Sequence, residues 1–352
     1  MLNTKTLKKL LIITTICAVP VVLIAIKSGK SIIRDDGLFF PDLLRNQENI
    51  YKVIVQDHNN TLTLYKSSGT WKILERDNYP VLADRVDDLL LSLGDLRVIE
   101  PKTSKPELYE QLDVNDIKDE NSKAVLIVVL NDKNEELANM YIGKREGLRV
   151  GEEYQEHIFI RRAGEEQAWL VRGILPLSNN FMDWVEQPLL GIVDSDQVSS
   201  IEIIRPETSK VRIYKNQLDQ EDFILEASAS KKGMTLDIDS INSLPFEVAE
   251  LEFKNVFPAD NIKLDWDKSI TANLETFPGV KVLLNIVKQD QKVFVKVHAD
   301  ASSEASNEIL NKVDAYNKAK QDWVFEVPSE FYYAVTVAKN DFLRPEIIDL
   351  VG

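Results

Sequence analysis

Three histidines, His58, His157 and His298, and one cysteine, Cys17, are the first places to look for metal or nucleophile chemistry in this chain. The histidines stand far apart and form neither an H-x-x-x-H nor an H-E-x-x-H pair, the spacings that put two imidazoles on one helix face for zinc. His58 falls in a polar turn and His298 at the end of a predicted strand, so both read as solvated. Cys17 lies within an uncharged apolar run and cannot act as a soluble nucleophile. A single cysteine also excludes an intramolecular disulfide framework and any Cys-rich zinc or iron–sulfur centre. There is no G-x-S-x-G elbow, Walker A loop or dinucleotide glycine fingerprint. Carboxylates remain. Glu152-Glu153 with Glu156, and Asp57 beside His58, offer hard oxygen ligands, but without the spaced Asp/Asn and glycine of an EF-hand loop. They read as solvated acidic loops. Acid–base catalysis by two carboxylates needs them about 5–10 Å apart in space, which no spacing here fixes. The expectation is a non-enzyme, with no catalytic, cofactor-binding or metal-ligating residue to name.

The elements that would position any site follow from composition and patterning. The 352 residues carry 42 Lys+Arg against 57 Asp+Glu, a net charge of −15, with 44% hydrophobic residues. That length suggests two folded units plus extras, and the composition is that of a folded protein. An acidic balance argues against nucleic-acid binding, which needs a basic face.

Leu10–Ile26, LLIITTICAVPVVLIAI, has no charged residue and follows Lys5, Lys8 and Lys9. As a helix it would span about 25 Å, close to a bilayer core, and Pro20 is tolerable there. A cleaved signal peptide is the competing reading, but the run exceeds a signal core and Ala25-Ile26-Lys27 is a poor cleavage site. A lipidated Cys17 would need a small residue where Ile16 stands. The expectation is therefore a cytosolic terminus at 1–9, an anchor helix at 10–26 and a tether at 27–44. The leading lysines place the amino terminus inside under the positive-inside rule, although Lys27, Lys30 and Arg34 dilute the asymmetry. The bulk of the chain would then face the periplasm as a single-pass inner-membrane protein. Beyond residue 34 there are 36 basic and 57 acidic groups, a balance of −21. Anionic lipid would repel such a body.

The remainder reads as two similar strand-rich units, 45–195 and 196–352, in an α+β fold with antiparallel sheets and one main helix each. Tyr51, Val53, Val55, Leu62, Leu64 and Trp71–Leu74 read as short strands broken by Asp57–Asn60 and Ser67-Ser68-Gly69. Ile201, Ile203, Val211, Ile213 and Phe223–Leu225 repeat them, with Tyr65-Lys66 matching Tyr214-Lys215. Val86, Leu89, Leu90 and Leu93 predict a helix capped by Asp84; Ile241, Leu244, Val248 and Leu251 predict its counterpart, shortened or kinked by Pro245. Extended pieces ending in Pro101 and Pro258 follow. Strand pairs 124–130 with 138–142, and 280–287 with 292–298, are read as equivalent. Ile158–Ile160 and Ala168–Val171 are matched to Ala315-Tyr316 and Asp322–Phe325. Asp183-Trp184-Val185 with Leu189–Ile192 closes one unit, and Asp341-Phe342-Leu343 with Ile347–Leu350 closes the other. The five tryptophans, Trp71, Trp169, Trp184, Trp266 and Trp323, read as core.

Four stretches resemble the DUF4340 family. They are Gly69–Ile73 continuing through Tyr79-Pro80 and Asp84 to Val86–Leu90 and Leu93; Glu100–Tyr109 with Leu112-Asp113-Val114; Ile142–Arg145 with Phe159–Arg162 and Gln167–Val171; and Leu175-Pro176 through Asp183-Trp184 to Leu189-Leu190. The likeness covers roughly 45–195 well and the second half weakly. Leu112-Asp113 departs from the Leu-Gly the family often has. The resemblance implies one amino-terminal anchor helix and a setting beside an ABC-type transporter of the gliding-motility class, with a permease and a GldG-like subunit as partners. It brings no catalytic residues. The expected function is a membrane-anchored, non-enzymatic extracytoplasmic accessory subunit acting through protein contacts. The alternative is an envelope binding protein for a lipid, glycan or peptide, which predicts a large apolar pocket. A hydrolase built on two facing carboxylates is the third reading.

Overall fold

The computed structural model describes residues 37–150, 153–206, 210–226 and 232–346. The anchor predicted at Leu10–Ile26, Cys17 and the tether up to residue 36 lie outside the described residues, as does Glu152. Among the described residues no helix is long and apolar enough to cross a membrane. Within them the fold is a strand-rich α+β arrangement with antiparallel sheets and few helices.

The first half begins with β1 (Ile50–Gln56), β2 (Thr61–Ser67), β3 (Thr70–Ile73) and β4 (Tyr79–Pro80), paired in the order β4-β3-β2-β1. Local chemistry sets the breaks. The Asp57 carboxylate accepts from the Asn59 and Asn60 amides at 2.7 and 2.6 Å, closing the β1–β2 turn. Ser68 and Gly69 both take positive φ, 51° and 81°, the two-residue hairpin geometry that matches strand twist. Helix α1 (Ala83–Gly94) buries Val86, Leu89, Leu90 and Leu93 as their spacing predicts. Asp84 lies in its first turn rather than before it, so it complements the helix dipole and is not the cap. Then come β5 (Arg97–Thr103), β6 (Val125–Asn131), β7 (Glu136–Val150), β8 (Glu153–Arg162) and β9 (Ala168–Arg172), in the order β6-β7-β8-β9-β5.

The second half contains β10 (Val198–Ile204), β11 (Val211–Tyr214), β12 (Ile224–Leu225), β13 (Met234–Leu236), helix α2 (Ile238–Ala249), β14 (Asn255–Pro258), β15 (Ile270–Thr276), β16 (Val280–Gln289), β17 (Lys292–Ala301), helix α3 (Asn307–Lys320), β18 (Trp323–Val327) and β19 (Leu343–Pro345). Its main sheet runs β12-β11-β10-β15-β16-β17-β18-β14. Strand for strand, β3-β2-β1 and β6-β7-β8-β9-β5 follow the same order. Two expectations change. The counterpart of β6 is β15, a strand the sequence reading passed over, so β6–β7 corresponds to β15–β16 and not to β16–β17. Ala315 and Tyr316, read as a strand, lie in α3. Pro245 is accommodated within α2, buried with Ile241, Leu244 and Val248; Leu251 is buried just beyond it.

By compactness the chain divides into two units. Described residues through Ile50 group with Asp88–Pro176, and Tyr51–Asp87 group with the described residues from Leu177 onward. In the first unit Phe39, Phe40 and Leu43 are buried, ahead of the residue 45 at which the fold is expected to begin. Arg162 lies 4.1 Å from the Phe39 ring centroid and donates to the Phe39 carbonyl. Leu38 bridges Arg97 at the outer strand β5. Outer strands are blunted: β4 ends in Pro80, β5 contains Pro101, β14 ends in Pro258, and β12 is two residues long. A proline cannot donate to a further strand, so these edges resist strand addition.

Candidate functional site

The candidates suggested by sequence are placed apart from one another in role. Asp57 is spent on its turn and also accepts from the Asn179 amide. His58 and His298 are exposed, His298 standing 3.6 Å from Asp300. His157 and Glu156 sit on β8, where His157 faces Glu146 across the hairpin. Among the described residues no three His, Cys, Asp or Glu side chains form a group able to hold a metal. Trp71, Trp169 and Trp184 are buried as expected, whereas Trp266 and Trp323 are half-buried.

The unusual chemistry is at Lys320, the last residue of α3, which is only 3% exposed. Ser306 caps the helix by accepting from the Ile309 amide at 3.3 Å. Val313, Tyr316 and Lys320 then recur at i, i+3 and i+7 on the buried face, which carries the lysine inward. The ammonium donates to the Tyr79 hydroxyl at 3.1 Å and lies 3.5 Å from Glu186 Oε2. The ring centroids of Tyr79, Phe253 and Phe325 lie 5.8, 6.0 and 5.7 Å from it. These rings pack edge to face, Phe253 on Phe325 at 5.1 Å and Tyr79 on Trp323 at 4.9 Å. Negative ring faces offset part of the desolvation cost of the buried charge. They do not offset all of it: burial lowers the Lys320 pKa, while the charge and hydrogen bond of Glu186 act to raise it. Burial, reinforced by Glu186, likewise raises the Tyr79 and Tyr316 hydroxyls.

A groove of about 580 Å³ opens beside this cluster and shares two of its residues, Glu186 and Phe253. Its walls also include Leu82, Arg85, Met182 and Lys254. The segment carrying Glu186 is fixed by main-chain bonds: the Leu82 amide donates to the Trp184 carbonyl at 2.9 Å, and the Leu189 amide to the Leu251 carbonyl at 2.7 Å. Trp184 Nε1 donates to the Ser178 carbonyl at 3.1 Å, and Tyr316 to the Leu189 carbonyl at 3.2 Å. The backbone is therefore held while the Glu186 side chain stays half-exposed.

Arg161, in the other unit, is the instructive contrast. Its guanidinium lies 4.5 Å from each of the Tyr109 and Tyr141 rings. It donates to the Val114 and Glu165 carbonyls at 2.9 and 3.1 Å. Arg161 is satisfied by fixed backbone; Lys320 depends on a side chain that can move. Among the described residues the carboxylates displaced from their ordinary values move down: Asp116 by the Lys118 amide, Asp265 by Lys268, Glu308 by Lys312, and Glu330 by a backbone amide.

Sequence reasoning missed this site because Tyr79, Glu186, Phe253 and Lys320 are separated by long stretches of chain. The one available signal was an inward lysine on a helix whose other inward positions are apolar. The profile of a family described as a domain of unknown function, DUF4340, matches residues 71–268, more than half of the chain. The match runs well into the second half, further than the resemblance suggested. It takes in Tyr79, Glu186 and Phe253 and ends before Lys320. No curated protein and no solved structure matches the chain.

Proposed function

We propose, on the premise that this chain belongs to the DUF4340 family, that it is a membrane-anchored accessory subunit of an ABC-type transport system of the gliding-motility class. In this reading the protein is not an enzyme. It stands on the outer side of the inner membrane and contacts a permease or a GldG-like subunit. The carrying observation is the uncharged run Leu10–Ile26 ahead of a body with a balance of −21. A greasy helix holds the chain at the bilayer while like charge keeps the body off anionic lipid. The common strand order of the two halves supports an internal duplication behind that body. Proline-bearing edges favour recognition through side chains over recognition by an added strand.

Co-purification of the full chain in a mild detergent tests the role: an ATPase or permease subunit is expected to accompany it, and emergence alone would remove the support. Protease accessibility in intact and opened cells tests orientation. The alternative, an envelope binding protein for a lipid, glycan or peptide, draws on the 580 Å³ groove. Its charged walls suit a polar ligand better than a lipid, which needs a predominantly apolar lining.

A further inference from the structure

Beyond the transporter reading, we propose that the groove beside Lys320 is an anion-binding site, taking the carboxylate or phosphate group of a ligand, and that the Glu186 side chain is its resident plug. Three observations carry this. First, Lys320 is 3% exposed and its one carboxylate partner is 3.5 Å away. Three lysine ion pairs at the open surface are closer: Lys268–Asp265, Lys281–Glu275 and Lys312–Glu308 are each 2.8 Å. A buried ammonium gains more from a close anion than an exposed one, because the surrounding dielectric is lower. Lys320 is thus paired loosely where close pairing is worth most.

Second, the Glu186 carboxylate stands on the groove wall and its side chain is 53% exposed. It can turn into water at little cost to its own hydration, whereas Lys320 stays buried and needs another anion in its place. An incoming anion would exchange one carboxylate for another at the ammonium, and the displaced Glu186 would be rehydrated. Third, Arg85 and Lys254 stand on the walls of the same groove, and among the described residues neither has an acidic group within 4 Å. The walls also carry Asp183, which accepts from the Ser178 hydroxyl at 2.5 Å, and Glu252, so the cations act on an incoming anion by position and not by an excess of positive charge. An anion in the groove meets an arginine and a lysine on its walls, with Lys320 behind Glu186. The volume is within the range of small-ligand sites. Arg161 shows the other solution, a buried cation closed off by backbone carbonyls with nothing to exchange.

The test is titration calorimetry of the full chain in a neutral mild detergent, with sodium acetate and with inorganic phosphate as probes and chloride as the control. Saturable binding of at least one probe is expected. Glu186→Gln is expected to tighten it about tenfold, since it removes the competing carboxylate, and Arg85→Gln and Lys254→Gln each to weaken it by up to about tenfold. A thermal-melting series supplies a second readout: the probe raises the melting temperature of Glu186→Gln more than that of the unaltered chain. Acetate bound without phosphate assigns a carboxylate ligand, and the reverse assigns a phosphate. No saturation with either probe, or binding indifferent to Glu186→Gln, overturns the proposal. Both exposed-cation variants leave the buried cluster intact, so the result does not hang on whether Lys320→Met folds.

Discussion

Between β8 and β9 the chain turns within residues 163–167, whereas at the same place in the second strand order, between β17 and β18, residues 302–322 intervene and fold in large part as α3. The hairpins before these connections differ the other way. β16 and β17 pair from Val280–Ala301 to Gln289–Lys292, with β15 beside β16 from Lys281 to Ile286 and β18 beside β17 from Val293 to Val295. β7 loses its β6 partner after Ile142, and β8 has none in β9 before His157. Beyond that limit β7 and β8 continue as a two-stranded ribbon after a register break between Ile142 and Arg145. One strand order thus holds its extra chain in two forms. An insertion that finds an apolar surface becomes core; one that finds only its own partner strand stays exposed, since a lone ribbon is marginal in water.

The sharpest way to break that contrast is Tyr316→Ala. If α3 were as peripheral as the short turn it replaces, the loss would be small. We expect about 3–5 kcal/mol in denaturant unfolding, because a buried ring and its bond to Leu189 are removed together. Gly143→Ala probes the base of the ribbon. A Cβ there would meet the Leu112 carbonyl oxygen at 2.1 Å and that of Asp113 at 2.8 Å. We expect about 1–3 kcal/mol of destabilisation and a disturbed register, read by hydrogen exchange at β7.

Lys320→Met asks what the buried charge contributes. At neutral pH it is expected to be neutral or stabilising by about 1 kcal/mol, since Glu186 can rehydrate. The pH dependence is the more telling measurement. With the folded-state pKa of Lys320 lowered, the unfolded chain holds the extra proton between that value and the ordinary lysine value of about 10.5. Stability therefore rises with pH across this window, and the rise is absent in Lys320→Met. Tyr79 and Tyr316, raised by burial, oppose it once the pH passes about 10, and that fall persists in the variant. Arg149→Ala in the exposed ribbon should change stability by no more than about 0.5 kcal/mol. A larger loss would show the ribbon to be held more firmly than its pairing implies.

Much of this fold was legible because its signals are local. The i, i+3, i+4, i+7 leucines of α1 and the Ser-Ser-Gly turn act on their own neighbours and need no tertiary help. The match of Trp169 with Trp323 survived as β9 and β18 in equivalent places. Of the end signatures, Trp184 and Phe342 are both buried at the close of single helical turns, while Ile347–Leu350 lies outside the described residues. β15 is easily overlooked because its buried row holds only two large apolar side chains, Ile270 and Leu274, with the small Ala272 and the polar Thr276 in the other inward positions. The lysine site left almost no trace, since Lys320 reads as a solvated charge in any one-dimensional pattern. Its burial is decided by Tyr79, Phe253 and Phe325, which arrive from elsewhere in the chain.

The prolines at the outer strands carry a consequence for how such a protein would change over time. A backbone edge recognises almost any extended peptide, so a binder relying on one is hard to make choosy. Where that route is closed, discrimination falls to individual surface groups. Each can be exchanged singly while the sheet beneath keeps its register, so partners can drift and the scaffold endure.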